Sequence, residues 1–297
     1  MVGLYAYPLP PNPTPLTTTS IPTEDDPETV LDAVAAFITS DPDSVLVGVG
    51  IASFGPIDLR ESSPTYGFIT STPKPGWKNT DVVGGLRERV GEVPVGFETD
   101  VNAAGMAEAS AWGGEGGVVY VTVGTGVGVG VVLEGGRPLH GLLHPEGGHM
   151  CVGIYEGDVG RVDELSVCPF HKGCVEGFVA SRGLAARFGV ERRELESVSD
   201  DHQGWDAVAF YLAQLVVNST LLLSPARVVL GGGVFNRKVL YPKVRAAVLS
   251  LLNDYLAVDE ITHSIDEYIV PPLLDAPGLV GAALVGAAAV EASASPP

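Results

Sequence analysis

Two thiols and an imidazole lie within seven residues, in Cys168-Pro-Phe-His171-Lys-Gly-Cys174. Thiolate sulfur and imidazole nitrogen are donors that Zn²⁺ prefers, and a tetrahedral site needs a fourth donor. His149, upstream in a Gly-Gly-His sequence, is our candidate, with His144 and Cys151 as competitors. Four protein ligands would make the zinc structural, and it would pin two loops together. The alternative is a pair of reduced cysteines in a loop.

A second candidate site is the glycine-rich sequence Val-Gly-Thr-Gly-Val-Gly-Val-Gly over residues 123–130. Gly124, Gly126 and Gly128 free the backbone to take positive φ, which would let N–H groups converge on an anion. The pattern does not open a helix as G-x-G-x-x-G does, so it argues against a dinucleotide fold. A glycine-rich hairpin without a ligand is the alternative.

Carboxylates mark a third candidate site. Asp100 stands where a predicted strand leads into a helix, the place where α/β folds bind ligands, although aspartate is also a common helix cap. Glu146 and Glu176 are ordinary surface carboxylates if taken singly. If zinc forms, it fixes them beside one another as a clamp for sugar hydroxyls. Gly231-Gly232-Gly233 follows a strand and either admits a flat base or forms a turn.

Alternating strand and helix signals must position these residues. Apolar periodicity predicts helices over 28–38, 82–90, 205–223, 237–252 and 281–290, and strands over 44–53, 93–99, 118–124, 129–133, 227–230 and 268–270. Strand, helix and strand in that order imply parallel pairing. The layout is two α/β units of similar order.

Composition limits the class of protein. The 297 residues suggest two domains or one large one. A net charge of −19, from 17 basic and 36 acidic residues, argues against general binding to nucleic acid or anionic membranes. The apolar stretch 118–133 is interrupted by glycines, which favours two strands over a membrane span. Three cysteines and no signal-peptide pattern predict a cytoplasmic protein.

Taken in order over about 45–281, these signals resemble the ROK family of sugar kinases, and within it the bacterial-type zinc-containing fructokinases. The motifs that carry the resemblance are Gly50-Ile-Ala-Ser-Phe-Gly-Pro56, Thr72-Pro-Lys-Pro-Gly-Trp77, Thr99-Asp-Val-Asn-Ala-Ala104, Gly124-Thr-Gly-Val-Gly128, His144-Pro-Glu-Gly-Gly-His149, Cys168 to Cys174 with Glu176, and Leu230-Gly-Gly-Gly-Val234. The family has an α/β, actin/hexokinase-like fold, with two ribonuclease-H-like domains around a cleft. We therefore expect domains at 1–110 and 111–279, with a helix over 280–297 returning to the first.

The resemblance implies ATP-dependent phosphorylation of a hexose, D-fructose to fructose 6-phosphate, with Mg²⁺ and a structural Zn²⁺, and a possible homodimer. It gives the site residues these roles: Asp100 as general base; Thr99, Asn102, Glu146, His149 and Glu176 as sugar ligands; Gly124, Thr125, Gly126 and Gly128 at the phosphates; Gly231, Gly232 and Gly233 at the adenosine; His149, Cys168, His171 and Cys174 as zinc ligands. His171 and Thr99 both match the fructokinase branch.

One family feature has no match in the sequence. ROK kinases open with a strand and an Asp/Glu-x-Gly-Gly-Thr-Lys-like turn that holds ATP phosphate, and nothing like it precedes Val45. We expect that first strand to be missing, with 2–7 and 17–21 as the second and third strands. Two alternatives follow: a catalytically impaired sugar-binding protein and a zinc-stabilised scaffold. The family's repressors carry a helix-turn-helix, for which this sequence has no signal.

Overall fold

The computed structural model describes residues 1–10 and 13–294. The α-helices, in chain order, are α1 (Pro27–Ile38), α2 (Val82–Val90), α3 (Asp100–Trp112), α4 (Val162–Leu165), α5 (Val175–Val179), α6 (Ser181–Phe188), α7 (Gly204–Leu223), α8 (Leu240–Leu252), α9 (Asp259–Thr262), α10 (Ile265–Tyr268) and α11 (Pro277–Ala294). The strands are β1 (Val2–Leu4), β2 (Thr17–Thr19), β3 (Val49–Ser53), β4 (Phe68–Ile69), β5 (Thr80–Asp81), β6 (Val95–Thr99), β7 (Val118–Val123), β8 (Val127–Val132), β9 (Arg227–Gly231) and β10 (Ile269–Val270). The last three residues of the predicted helix 280–297 lie outside the described residues.

The chain divides into two compact units. The first comprises Met1–Gly113, Gly136–His144 and Leu273–Pro297, and the second comprises Gly114–Gly135 and Pro145–Pro272. Residues 136–144 and 273–279 thus lie with the first unit, whereas the sequence-based ranges place them in the second domain.

Two sets of hydrogen bonds tie these inserted segments to the first unit. His144 Nε2 accepts the Ile57 N–H at 3.1 Å. The buried carboxylate of Glu108, on α3, accepts the N–H groups of Leu273 at 2.8 Å and Leu274 at 3.0 Å. Pairing a buried carboxylate with two donors offsets its desolvation, so these contacts fix the approach of the chain to α11.

Within the first unit, β3 and β6 pair in parallel in register from Val49↔Val95 to Ser53↔Thr99, as the strand–helix–strand order predicts. Helices α1 and α2 supply part of an apolar core that includes Leu31, Val83 and Leu86. Helix α11 packs against α3, β3 and β6. Two antiparallel pairs, β1–β2 and β4–β5, form separate small sheets.

The start of β3 differs from the prediction. The strand begins at Val49 rather than at residue 44, and Val45 is 85% exposed. Its partner β6 is preceded by Pro94, whose carbonyl accepts the Val49 N–H at 2.9 Å but which has no N–H to extend the ladder. An apolar run in the sequence therefore continues beyond the paired residues.

Gly50 allows α11 to lie directly on β3. A Cβ atom at this position would stand 1.8 Å from the Ala282 carbonyl oxygen and 2.5 Å from the Gly286 nitrogen, both backbone atoms of α11. Backbone cannot yield as a flexible side chain does, so the helix itself would have to move.

We expect Gly50→Ala to lower the free energy of unfolding by about 1–3 kcal/mol, the range for overpacked cores. Gly141→Ala is the matched control, because a Cβ atom there meets nothing within 4 Å. The control should stay within about 0.5 kcal/mol of the wild type. Urea unfolding curves measure both variants, and equal stability of the two would contradict the backbone contact.

The second unit is built on a four-stranded sheet with the strand order β10-β9-β7-β8. Strands β7 and β8 form the predicted antiparallel hairpin, while β9 pairs in parallel with both β7 and β10. The long helix α7 buries Tyr211, Leu212 and Leu215 and packs against α8. The core of this unit therefore lies between the sheet and these helices.

Two helices, α7 and α11, have the length and apolar composition of a membrane span. In α7, 61% of the apolar window is buried inside the protein, as in the core helix of a globular domain; in α11 the share is 22%. One or two such helices are weak evidence for a span, because the core helix of a globular protein passes the same test. Here α7 packs against α8, and α11 packs against α3, β3 and β6.

Candidate functional site

Asp100 is the first residue of α3, directly after β6, and its side chain is exposed. The helix cap is Thr99, whose Oγ1 accepts the Asn102 N–H at 3.0 Å. The alternative that Asp100 is merely the cap is therefore wrong. An exposed carboxylate at the carboxyl end of a parallel strand is placed to meet a ligand.

Asn102 has a different place from the one predicted. Its side chain is 0% exposed, and its Nδ2 donates to Glu98 Oε1 at 3.0 Å. In this structure Asn102 supports Glu98 rather than facing a ligand, and its predicted sugar contact stays a prediction. Thr99 is also buried, with its hydroxyl used in the cap.

The predicted metal-binding residues come together in the second unit. His149, Cys168, His171 and Cys174 each offer one donor atom, and these atoms all lie within 4.8 Å of one another. Cys168 Sγ is 3.8 Å from His149 Nδ1 and 3.7 Å from His171 Nδ1. Cys174 is fully buried, and Gly177 N–H donates to its sulfur at the start of α5.

These separations fit a tetrahedral zinc site. Bonds of about 2.3 Å to sulfur and about 2.1 Å to nitrogen at tetrahedral angles place the two donors about 3.6 Å apart. Burial raises the pKa of the Cys174 thiol to about 11, and a cation among the four donors would favour the thiolate. The two other candidates for the fourth ligand lie outside the cluster: His144 accepts the Ile57 N–H, and Cys151 is an exposed free thiol.

Two carboxylates lie near this cluster in the same unit. Glu176 follows Cys174 on α5, and its Oε2 accepts the Val127 N–H at 3.0 Å. Glu146 is exposed to solvent on one side, and the protein atoms around its carboxylate raise its pKa by desolvation. His149 lowers that pKa and Glu176 raises it further, so these three side chains share one electrostatic environment.

The glycine turn between β7 and β8 departs from the prediction in its backbone. Although all three are described, none of Gly124, Gly126 and Gly128 has a positive φ. Two N–H groups of the turn are used within the protein, because Gly124 N–H donates to the Gly126 carbonyl at 2.9 Å and Val127 N–H donates to Glu176. Glycine is favoured at position 126 for another reason, because a Cβ atom there would stand 2.8 Å from Glu176 Oε2.

Of the three glycines after β9, Gly232 is the one with a special conformation. Its φ is +86°, and a Cβ atom there would stand 2.5 Å from the Val123 carbonyl oxygen and 2.7 Å from Thr122 Oγ1. Gly231 approaches Pro272, while a Cβ atom at Gly233 would meet nothing within 4 Å. The turn therefore keeps backbone open at Gly233 and packs tightly on β7 at Gly232.

Sequence reasoning missed the side chains that support the metal-binding loops. Ser166 is fully buried and accepts the Gly173 N–H at 3.0 Å, just before Cys174. Asp158, which was also not predicted, joins two helices instead: it pairs with Arg187 of α6 at 2.6 Å and accepts the Tyr211 hydroxyl of α7 at 2.7 Å. Serine and aspartate are common in loops, so nothing in the sequence separates these buried partners from exposed ones.

The chain has clear relatives. The model of the ROK family matches residues 13–288. The chain is 41% identical over 251 residues to a fructokinase of Streptococcus mutans, which covers 84% of this chain and 82% of that protein. It is 37% identical over 253 residues to a putative fructokinase of Bacillus subtilis, with the same coverage of 84% and 82%.

Solved structures agree in fold. A ROK hexokinase from Thermus thermophilus superposes with a TM-score of 0.74 at 27% identity, covering 94% of this chain and 93% of that one. A ROK family glucokinase from Streptomyces griseus, in complex with glucose and AMPPNP, gives a TM-score of 0.68 at 22% identity, with 92% of each chain covered. These similarities confirm the predicted actin/hexokinase-like α/β fold.

Proposed function

The chain belongs to the ROK family, and from this premise we propose that it is an ATP-dependent sugar kinase that converts D-fructose to fructose 6-phosphate. The observation that carries the proposal is its similarity to fructokinases over about four fifths of its length. The family match over 13–288 also contains all seven motifs of the resemblance. The alternative of a sugar-binding protein without kinase activity is not favoured by these relatives.

In this proposal Asp100 is the general base. Its carboxylate takes the proton from the sugar hydroxyl as that oxygen forms a bond to the γ-phosphorus, while the bond from this phosphorus to the bridging oxygen breaks and ADP leaves. The capped start of α3 supports the role, because Thr99 leaves the Asp100 side chain outside the cap. Phosphoryl transfer then depends chiefly on positioning and charge.

The second unit supplies the proposed sugar ligands Glu146, His149 and Glu176. Carboxylate oxygens accept hydrogen bonds from hydroxyl groups, and a second carboxylate sets the direction of the sugar ring. Glu176 is held by the Val127 N–H, which fixes its direction before any sugar arrives. Thr99 remains a proposed sugar contact.

We assign fewer residues to the ATP phosphates than the sequence predicts. Because the Gly124 N–H donates within the turn, we assign the phosphates to the other three predicted residues, Thr125, Gly126 and Gly128. Gly231, Gly232 and Gly233 are assigned to the adenosine, with the open backbone at Gly233 facing it. Mg²⁺ would neutralise part of the charge on the ATP phosphates.

We propose Zn²⁺ for the cluster of His149, Cys168, His171 and Cys174. Four protein donors would satisfy the coordination of a structural zinc, so the metal would supply structure and leave no open position for a substrate. It would join the short turn that carries His149 to the loop that leads into α5 and Glu176. A reducing cytoplasm, our proposed location, keeps the thiols available for it.

The assay that tests the proposed function measures ADP formation by the purified chain with ATP and Mg²⁺. We expect D-fructose to stimulate ADP formation well above the rate without sugar, and the product to be the 6-phosphate by ³¹P and ¹³C NMR. The same assay with D-glucose or D-mannose in place of D-fructose shows which hexose the enzyme prefers. If calorimetry shows fructose binding while no hexose stimulates ADP formation, the kinase proposal is wrong and the sugar-binding alternative stands.

A further inference from the structure

Glu98 is a buried carboxylate two residues before Asp100. It lies near the end of β6, and its side chain is 3% exposed. One oxygen, Oε1, accepts two hydrogen bonds from the start of α3: the Thr99 N–H at 2.8 Å and Asn102 Nδ2 at 3.0 Å. A single oxygen atom thus joins the capping residue and the first turn of the helix.

The other oxygen of Glu98 has a separate partner. His140 Nε2 lies 2.6 Å from Glu98 Oε2, and the His140 side chain is 40% exposed. His140 belongs to the inserted segment Gly136–His144 of the first unit. Because each oxygen is used on a different side, the imidazole fixes the rotation of the carboxylate whose other oxygen holds α3.

We propose that Glu98 and His140 form a positioning pair that orients the first turn of α3, and with it Asp100, for proton transfer. The proposal rests on the proposed function, because it assumes that Asp100 is the base. Neither residue is itself a catalytic residue, since each acts through Thr99 and Asn102.

Burial explains why this pair matters more than a surface ion pair. Removing His140 would leave a nearly inaccessible carboxylate with one oxygen unpaired, which is costly in an apolar surrounding. Glu98 would turn toward solvent, and the fully buried amide of Asn102 would lose its acceptor. The helix start would then shift, and shifts of this kind near reacting atoms lower kcat.

The pair should also respond to pH. The hydrogen bond and charge of Glu98 raise the pKa of His140 above its usual value, against the opposing effect of burial. The imidazolium form is therefore present below the raised pKa and lost as the pH rises through it. Loss of this positive charge should weaken the hold on the Glu98 carboxylate, so we expect kcat to fall on the alkaline side of the His140 pKa.

Other ionisable groups near the pair do not account for such an alkaline change. The Tyr66 phenol has a pKa raised above 10.0 by burial and by Glu61, so it stays neutral near pH 8. Asp58 and Arg60 are hydrogen bonded to each other, and Arg60 holds the pKa of Asp58 well below its usual range. His144 accepts the Ile57 N–H through Nε2 at 3.1 Å and is not paired with Glu98.

The experiment compares the wild type with His140→Gln, His140→Ala and Glu98→Gln, measuring kcat and both KM values between about pH 5.5 and pH 9, the range that brackets imidazole titration. His263→Gln is the matched control, because His263 pairs with Asp259 at 3.3 Å on an exposed helix. NMR titration of the imidazole signals follows the pKa of His140 in the wild type and in Glu98→Gln.

We expect His140→Ala to lower kcat roughly 10- to 100-fold, with KM for ATP within about twofold of the wild type. Glutamine at 140 still donates a hydrogen bond but carries no charge and does not titrate, so its kcat should match the lower alkaline plateau of the wild type, stay above that of His140→Ala, and show no alkaline fall. The pKa of His140 should drop in Glu98→Gln, and the control should match the wild type throughout.

Three outcomes would overturn the proposal. The first is an unchanged kcat in His140→Ala, and the second is an alkaline fall that persists in His140→Gln. The third is a His140 pKa that does not respond to Glu98→Gln. If any variant fails to fold by circular dichroism, the remaining variants and the NMR titration still decide. A wild type without hexose-stimulated ADP formation would instead defeat the proposed function itself, and the positioning role with it.

Discussion

Replacing Asp100 with asparagine is expected to lower kcat by about 10²- to 10⁴-fold, the usual contribution of a general base. Asparagine has nearly the same shape but cannot accept the proton of the sugar hydroxyl. Its side chain stays exposed at the start of α3, so the Thr99 cap and the Glu98 contacts should persist. Steady-state kinetics with D-fructose and ATP, together with calorimetry of sugar binding, measure the change.

The matched control is Asp259→Asn, which makes the same exchange at the first residue of an exposed helix, α9. The control should keep the wild-type kcat, and the Asp100 variant should keep its affinity for sugar. A loss of kcat below about tenfold would contradict the role of Asp100, since general bases contribute more than that. Loss of sugar binding without loss of kcat would make Asp100 a binding residue instead.

Cys174→Ser is expected to abolish stoichiometric zinc. Serine keeps a hydroxyl to accept the Gly177 N–H but is a poor zinc ligand, so the effect should come from the metal rather than from the cap. Loss of a structural metal is among the changes that destabilise proteins most, so we expect the free energy of unfolding to fall by about 3 kcal/mol. The Tm should fall by roughly 5–10 °C.

Cys151→Ser is the control for this prediction. Cys151 pairs with Cys174 across an isolated β-bridge, yet its thiol is exposed and outside the four-donor cluster. The control should retain one zinc per chain by elemental analysis and the Tm of the wild type. Zinc retained in Cys174→Ser, or lost equally in both variants, would contradict the proposed ligand set.

Local signals in the sequence predicted much of this architecture. Helix α2 has the predicted bounds, and the β7–β8 hairpin follows from a glycine turn between two valine-rich runs. The spacing of Cys168, His171 and Cys174 predicted their convergence, because a short loop cannot place them far apart. His149 could be chosen only as one of three candidates, since nothing local links it to that loop.

Features that depend on distant partners could not be predicted. The link between Glu98 and His140 joins residues 42 positions apart and depends on how the segment 136–144 packs. Asn102 is fully buried and donates to the same carboxylate, although its motif indicated a ligand-facing amide. The need for glycine at position 126 depends on Glu176, whose carboxylate approaches the β7–β8 turn from α5.

The position of α11 has a consequence for the order in which the protein is made. Helix α11, which packs on α3 and β3, comes after every segment of the unit with the four-donor cluster. Domains tend to fold as units during synthesis, starting from the N-terminus. The unit with the four-donor cluster can therefore fold on the ribosome before α11, the packing partner of α3, has been synthesised. Translation that stops before Pro277 would yield a chain with one completed unit and one that cannot close its core.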